Sequence, residues 1–317
     1  MAETVQLLIA TATFLLAALG VAYWANKAQT DRSALVGLYL LFGIPAGLML
    51  IAGVAVLANG NASLAMLLLL LAIGLGAPLL RPVRQALAQV TPLDPDSAID
   101  MTGLSLVLGA LALFIANSFT PMADQPPDAG LIPSVGIADL IVQAAAFLAV
   151  AYIACGYPYW RDLRAATERL GIVVPDGRTI GIGIGGMFAC FLVAGLAGLV
   201  AQQFDPGLGE SLDEIVNQMT SEVQNPIGAL ILGASAGIGE EAVFRGALQP
   251  RYGLIIPSLL FAMLHGPQYG FNVALLGLFG VSIILGLQRK YVNTTAAMIT
   301  HALYNAVQVL ALSMMSS

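Results

Sequence analysis

Three ionisable residues, Glu240, Glu241 and Arg245, stand inside the apolar stretch "GIGEEAVFRG". Charge within such a segment is costly and by default marks function. Glu241 and Arg245 are four residues apart with the acid first, the favourable order for a pair on one helix. Each then spares the other from being buried unpaired. Glu240 projects about 100° further around the helix and lacks that partner. The chain has only two histidines, His265 and His301, and both fall in C-terminal apolar segments. His301 opens "HALYN", which puts Asn305 one turn later on the same face. A carboxylate, two imidazoles and an amide are a set for general base catalysis and oxyanion binding, or for holding a metal.

These groups need elements that bring them to one level. Glu240 lies 11 residues before Arg251, His265 14 residues after it, and His301 11 residues after Lys290. At the α-helical rise these are about 16, 21 and 16 Å from the same basic end. Three successive helices would thus carry Glu, His and His–Asn to a common depth.

The composition says what those helices cross. Of 317 residues, 58% are hydrophobic and 9% charged, with a mean hydropathy of +0.87. A soluble chain carries about a quarter charged residues. The chain therefore reads as an all-α, polytopic transmembrane helical bundle. About ten spans are expected, over 5–23, 34–58, 63–80, 101–118, 137–156, 179–202, 226–250, 254–269, 271–288 and 291–314. The eighth is short, with Pro257 breaking or capping its start. The first follows Glu3 and no basic residue, which suits a span of the mature protein better than a signal peptide.

The connecting loops alternate in charge. Lys27 and Arg32, then Arg81 and Arg84, then Arg161, Arg164, Arg169 and Arg178, then Arg251, then Arg289 and Lys290 mark every second one. The intervening loops lack basic residues, and two are acidic, with Asp124 and Asp128 in one and Asp205, Glu210, Asp213, Glu214 and Glu222 in the other. The positive-inside rule then places the basic loops in the cytoplasm and both termini outside, with the active site nearer the cytoplasmic face. "RDLRAATERLGIVV" reads as a surface helix or a solvated connector, as does "GESLDEIVNQMTSEVQ" with Ser211 as its N-cap. The glycine run "TIGIGIGGMFAC" has no preceding strand and reads as a helix-packing surface rather than a phosphate loop. Cys155 and Cys190 read as small core residues. No basic patch suggests a nucleic-acid partner.

"EEAVFR" (Glu240, Glu241, Arg245), "FAMLH" (Phe261, His265) and "HALYN" (His301, Asn305) resemble the three motifs of the CPBP family. These are the intramembrane CAAX-protease and bacteriocin-processing proteins, also called the ABI family. The resemblance covers roughly residues 180–314. It divides the chain into N-terminal transmembrane helices over 1–160, with no function assigned, and a protease core over 179–317 in the C-terminal half.

Residue types supply the mechanism. Glu240 is the candidate base for a hydrolytic water, which His265 would also hold. His301 and Asn305 would donate to the oxyanion. The resemblance implies the same roles, with Glu241, Arg245 and Phe261 in support and no cofactor. No serine or cysteine nucleophile stands beside a histidine in these motifs, which disfavours an acyl-enzyme. A rival reading takes Glu240, His265 and His301 as a zinc set with water as the fourth ligand, although no HExxH helix is present. Intramembrane carboxylates and histidines also serve proton-coupled transporters, and a scaffold or immunity protein is a further alternative. The expected partners are the lipid bilayer and a membrane-associated peptide or protein substrate, lipidated (CAAX-like) or transmembrane.

Overall fold

The computed structural model describes residues 2–119 and 134–315; Asp124 and Asp128 lie outside these. Among the described residues all regular structure is helical. Long apolar runs adopt helices because a helix satisfies its backbone internally, as a bilayer demands. The long helices are α1 (Ala2–Lys27), α2 (Arg32–Ala58), α3 (Ala62–Gly76), α5 (Ala98–Asn117), α6 (Ile137–Ala154), α8 (Gly177–Phe204), α10 (Pro226–Glu241), α14 (Val273–Tyr291) and α15 (Thr294–Met315). Shorter ones are α4 (Arg81–Ala88), α7 (Leu163–Leu170), α9 (Leu208–Thr220), α11 (Gln249–Tyr252), α12 (Ile255–Leu264) and α13 (Gly266–Tyr269). Polar residues start many of them. The side chains of Asp31, Asn61, Ser97, Asp162, Asp176, Asn225 and Asn272 each accept a hydrogen bond from a backbone N–H of the first turn. Ser211 does not cap α9. It lies inside the helix, where its hydroxyl bonds back to the Gly207 carbonyl at 3.1 Å, and Gly207 is the N-cap.

Among the described residues, nine stretches are long and apolar enough to cross a membrane, the seventh being α10 continued to Tyr252. The expected eighth span is not a single helix. It is α12, ten residues long, followed by α13. The helix stops because Pro267 has no N–H with which to continue the ladder. The segment nonetheless crosses the bundle, and α5 measures the distance. At one end of α5, Asp100 pairs with Arg251. At the other, the Phe271 N–H bonds the Ser118 carbonyl at 3.0 Å. The chain from Arg251 to Phe271 thus covers a 20-residue helix, about 30 Å.

The alternating loops do gather at two ends. At the basic end, Gln29 accepts from the Ala98 N–H at 2.9 Å. Arg289 reaches the Arg169 carbonyl at 3.4 Å, and the Thr294 N–H reaches the Gly171 carbonyl at 3.0 Å. At the opposite end, the Val135 N–H bonds the Met219 carbonyl at 2.9 Å. Many large apolar side chains, such as Leu16, Ile51, Leu196 and Leu276, face outward as lipid contact demands.

Small residues set the closest helix contacts. A Cβ on Gly233 would lie 2.3 Å from the Ala302 carbonyl oxygen, and one on Gly237 2.6 Å from that of Met298. Glycine there lets α10 and α15 pack backbone to backbone. A Cβ on Gly239 would lie 3.1 Å from Ala144 Cα of α6. The glycine run of α8 is also a packing surface. Gly183 faces Ile299, and Gly186 faces Gln288 and Thr300.

Candidate active site

The motif helix changes form where its charges lie. α10 ends at Glu241, and residues Ala242–Leu248 form a π-helical segment before α11. Such wide turns are rare and concentrate at functional sites. Arg245 stands within it, 1% exposed, with its Nε 3.1 Å from Glu241 Oε2. That contact is ionic, because the two groups are not aligned for a hydrogen bond. The directed bonds of Arg245 go to α14, from Nη2 to the Ser282 hydroxyl at 2.8 Å and to its carbonyl at 3.0 Å. The guanidinium also lies 4.9 Å from the Phe261 ring centroid, a cation–π contact.

Glu241 has a second partner. Its Oε1 is 2.9 Å from His301 Nδ1. Arg245, Glu241 and His301 therefore form a buried chain that links the π segment to α15. Glu240 takes no part in it. Its carboxylate is 7% exposed, and Oε2 has no hydrogen-bond partner among the described residues.

His265 caps the C-terminus of α12. Its Nδ1 is 3.0 Å from the Phe261 carbonyl, so Nδ1 carries the proton and Nε2 is left free. Phe261 lies between the two histidines, 5.3 Å from the His265 ring and 5.6 Å from the His301 ring. Tyr269 stacks on the far side of His265 at 5.9 Å and 19°. Gly266 makes the corner possible, since a Cβ there would meet Ser118 Oγ at 1.8 Å.

Glu240, Phe261, His265, His301 and Asn305 all line one cavity of about 730 Å³, together with Tyr269 and Tyr304. Asn305 has no side-chain hydrogen bond among the described residues, leaving its amide available. Glu241 and Arg245 lie behind the wall. Sequence reasoning missed Ser282, Tyr269 and Tyr304; the only sequence signal for Tyr269 is its place one turn after His265.

The cavity extends away from the basic end. Its outer walls are the second half of α8 (Phe191, Gln202), α9 (Leu212, Asp213), the first half of α14 (Ala274) and the second half of α15 (Gln308). Among the described residues, none from the basic end lines the cavity. That end is plugged by Gln249, whose amide donates to the Gly286 carbonyl at 2.8 Å, and by Arg289, which donates to the Arg245 carbonyl at 3.2 Å.

A zinc set was the rival use of the same residues. Among the described residues, no three His, Cys, Asp or Glu side chains are grouped to hold a metal ion. His301 has also committed Nδ1 to Glu241, which leaves Nε2 as its one free nitrogen.

The described residues thus form a multi-pass helical bundle with a carboxylate, two imidazoles and an amide around an internal cavity. Residues 222–307 match the family described as "Type II CAAX prenyl endopeptidase Rce1-like". This bears out the CPBP resemblance over that segment, which contains all three motifs. The matched segment is thus similar to that of CAAX-type intramembrane proteases, and the apolar helices make the chain a multi-pass integral membrane protein. No curated protein and no solved structure matches the chain significantly.

Proposed function

We propose that the protein is an intramembrane endopeptidase in which Glu240 activates water against a peptide bond of a membrane-associated substrate. The observation that carries this is the free, buried Glu240 carboxylate in a cavity shared with His265, His301 and Asn305. A buried polar atom without a partner is costly and calls for a ligand. A water between Glu240 and His265 Nε2 would fill that role.

In the attack, Glu240 takes a proton from the water and the hydroxide oxygen bonds to the carbonyl carbon. The carbonyl oxygen becomes an oxyanion, which His301 Nε2–H and Asn305 Nδ2–H stabilise. His301 can donate from Nε2 while also donating from Nδ1 to Glu241 only as an imidazolium. Glu241 and Arg245 together are neutral, so the imidazolium balances the charge of Glu240. The C–N bond then breaks, and Glu240 returns the proton to the leaving amine. The scheme uses no metal.

The positive-inside rule puts the basic end in the cytoplasm and both termini outside. The substrate peptide then reaches the site from the non-cytoplasmic side, along the groove between α9, α14 and α15.

The test is hydrolysis of membrane-embedded peptide libraries by purified protein, with zinc content measured in the same samples. Glu240→Gln should abolish cleavage while preserving fold. Activity that tracks bound zinc and vanishes with chelator would overturn the metal-free scheme.

A further inference from the structure

Four arginines gather at the basic end, away from the cavity. Arg161 and Arg169 flank and end α7, Arg251 lies in α11, and Arg289 lies near the end of α14. All four are partly buried, and all act electrostatically on the buried thiol of Cys155 at their centre. Three are held by the protein. Arg161 donates to the Cys155 carbonyl, and Arg251 pairs with Asp100. Arg289 bonds the Arg245 and Arg169 carbonyls at 3.2 and 3.4 Å. The Arg169 guanidinium has no hydrogen bond or ion pair of its own among the described residues.

The nearby acids do not balance this charge. Asp100 is the one carboxylate paired within the group. Its neighbour Asp94 is exposed and is joined to it through the Asp94 N–H. Glu168 faces away and pairs with Arg164 at 3.0 Å, and Asp162 caps α7. Burial above all, helped by repulsion from Arg251 and Arg161, holds the Arg169 guanidinium below its ordinary value. Half-buried like charges of this kind call for a counter-anion.

The surroundings indicate where that anion comes from. Tyr23 packs on Tyr159 at 5.5 Å and on Trp160 at 5.7 Å, and all three rings are exposed. Such aromatic clusters sit at the headgroup level of a bilayer. Leu163 at the start of α7 and Val174 beyond its end, the latter 93% exposed, present outward-facing apolar side chains. An interfacial helix that sinks apolar residues toward acyl chains places its arginines among phosphates.

We propose that Arg161, Arg169, Arg251 and Arg289 form a site for the phosphate of an anionic phospholipid headgroup. The site touches the catalytic segment. Arg289 donates to the carbonyl of Arg245, and Leu170 packs against Gly246, where a Cβ would lie 2.8 Å from it. A bound headgroup would brace the π segment that carries Arg245. The inference does not depend on the proteolytic reading.

The experiment uses the full-length protein in neutral detergent. Native mass spectrometry and thermal unfolding are recorded with added phosphatidylglycerol, phosphatidylcholine or inorganic phosphate. Phosphatidylglycerol should stay bound and raise the Tm, and the other two should not. Arg169→Gln removes a guanidinium with no internal bond to lose, and should weaken phosphatidylglycerol binding about fivefold. Arg81→Gln, the same charge change at the exposed Asp96 pair, should leave binding unchanged. Equal binding of both phospholipids, or equal effects of the two variants, would overturn the site. An equal Tm rise with inorganic phosphate would overturn the lipid assignment.

Discussion

Glu241 Oε1 lies 2.9 Å from His301 Nδ1, while its Oε2 faces Arg245 Nε at 3.1 Å. One carboxylate thus serves a base on its own helix and another on α15. The adjacent Glu240 is left free in the cavity. Two neighbouring glutamates have separate tasks because successive residues on a helix point about 100° apart.

Glu241→Gln should therefore destabilise the fold. It leaves a buried arginine without its counter-charge, which costs about 3–5 kcal/mol. Glu240→Gln should melt near the wild-type temperature and lack peptidase activity. Unfolding of both variants in one detergent checks the assignment, and a normal Glu241→Gln would refute it.

Asn305→Ala should lower kcat about 10²–10³-fold with little change in KM, as expected when one oxyanion donor is lost. His301→Ala should do more harm. It removes a donor and also strips Glu241 of a partner, so its Tm should fall along with kcat. Kinetics and melting on the same samples separate the two effects.

Gly233→Ala should drive α10 from α15, since the new methyl would meet the Ala302 carbonyl oxygen at 2.3 Å. Overpacking of this kind costs about 1–3 kcal/mol. Activity should fall further than stability, because Glu240 and His301 sit on the two helices being separated. Gly181→Ala, where no heavy atom lies within 4 Å of the added Cβ, is the control and should behave as wild type.

Asp100→Asn tests how the N-terminal spans hold the core. Asp100 pairs with Arg251, and its carbonyl accepts from the Tyr252 hydroxyl at 3.2 Å. The ion pair is lost on substitution, while the remaining amide oxygen can still accept from the Asp94 N–H. Arg251 keeps some contact with water, so the expected cost is about 1–2 kcal/mol. Thermal unfolding measures it.

A cysteine at Asp213 should react with a membrane-impermeant thiol reagent from the non-cytoplasmic side. This residue of α9 lines the outer cavity, and native Cys155 and Cys190 are buried. Labelling from the cytoplasmic side would invert the proposed topology.

The sequence by itself determined the polytopic helical class, the two ends of the bundle, and four residues that share the cavity. Apolar length and loop charge act segment by segment, so Arg251 and Arg289 mark the basic end before any packing is known. Helical periodicity is equally local, and it places Asn305 one turn from His301. Only the tertiary structure decided that His301 bonds Glu241, that Arg245 is anchored on Ser282, and that the cavity extends toward α9 rather than the basic end. These depend on how far the π segment turns Arg245 and on how closely Gly233 and Gly237 let α15 approach. Both are set by contacts between helices far apart in the chain, and no local pattern of residues encodes them.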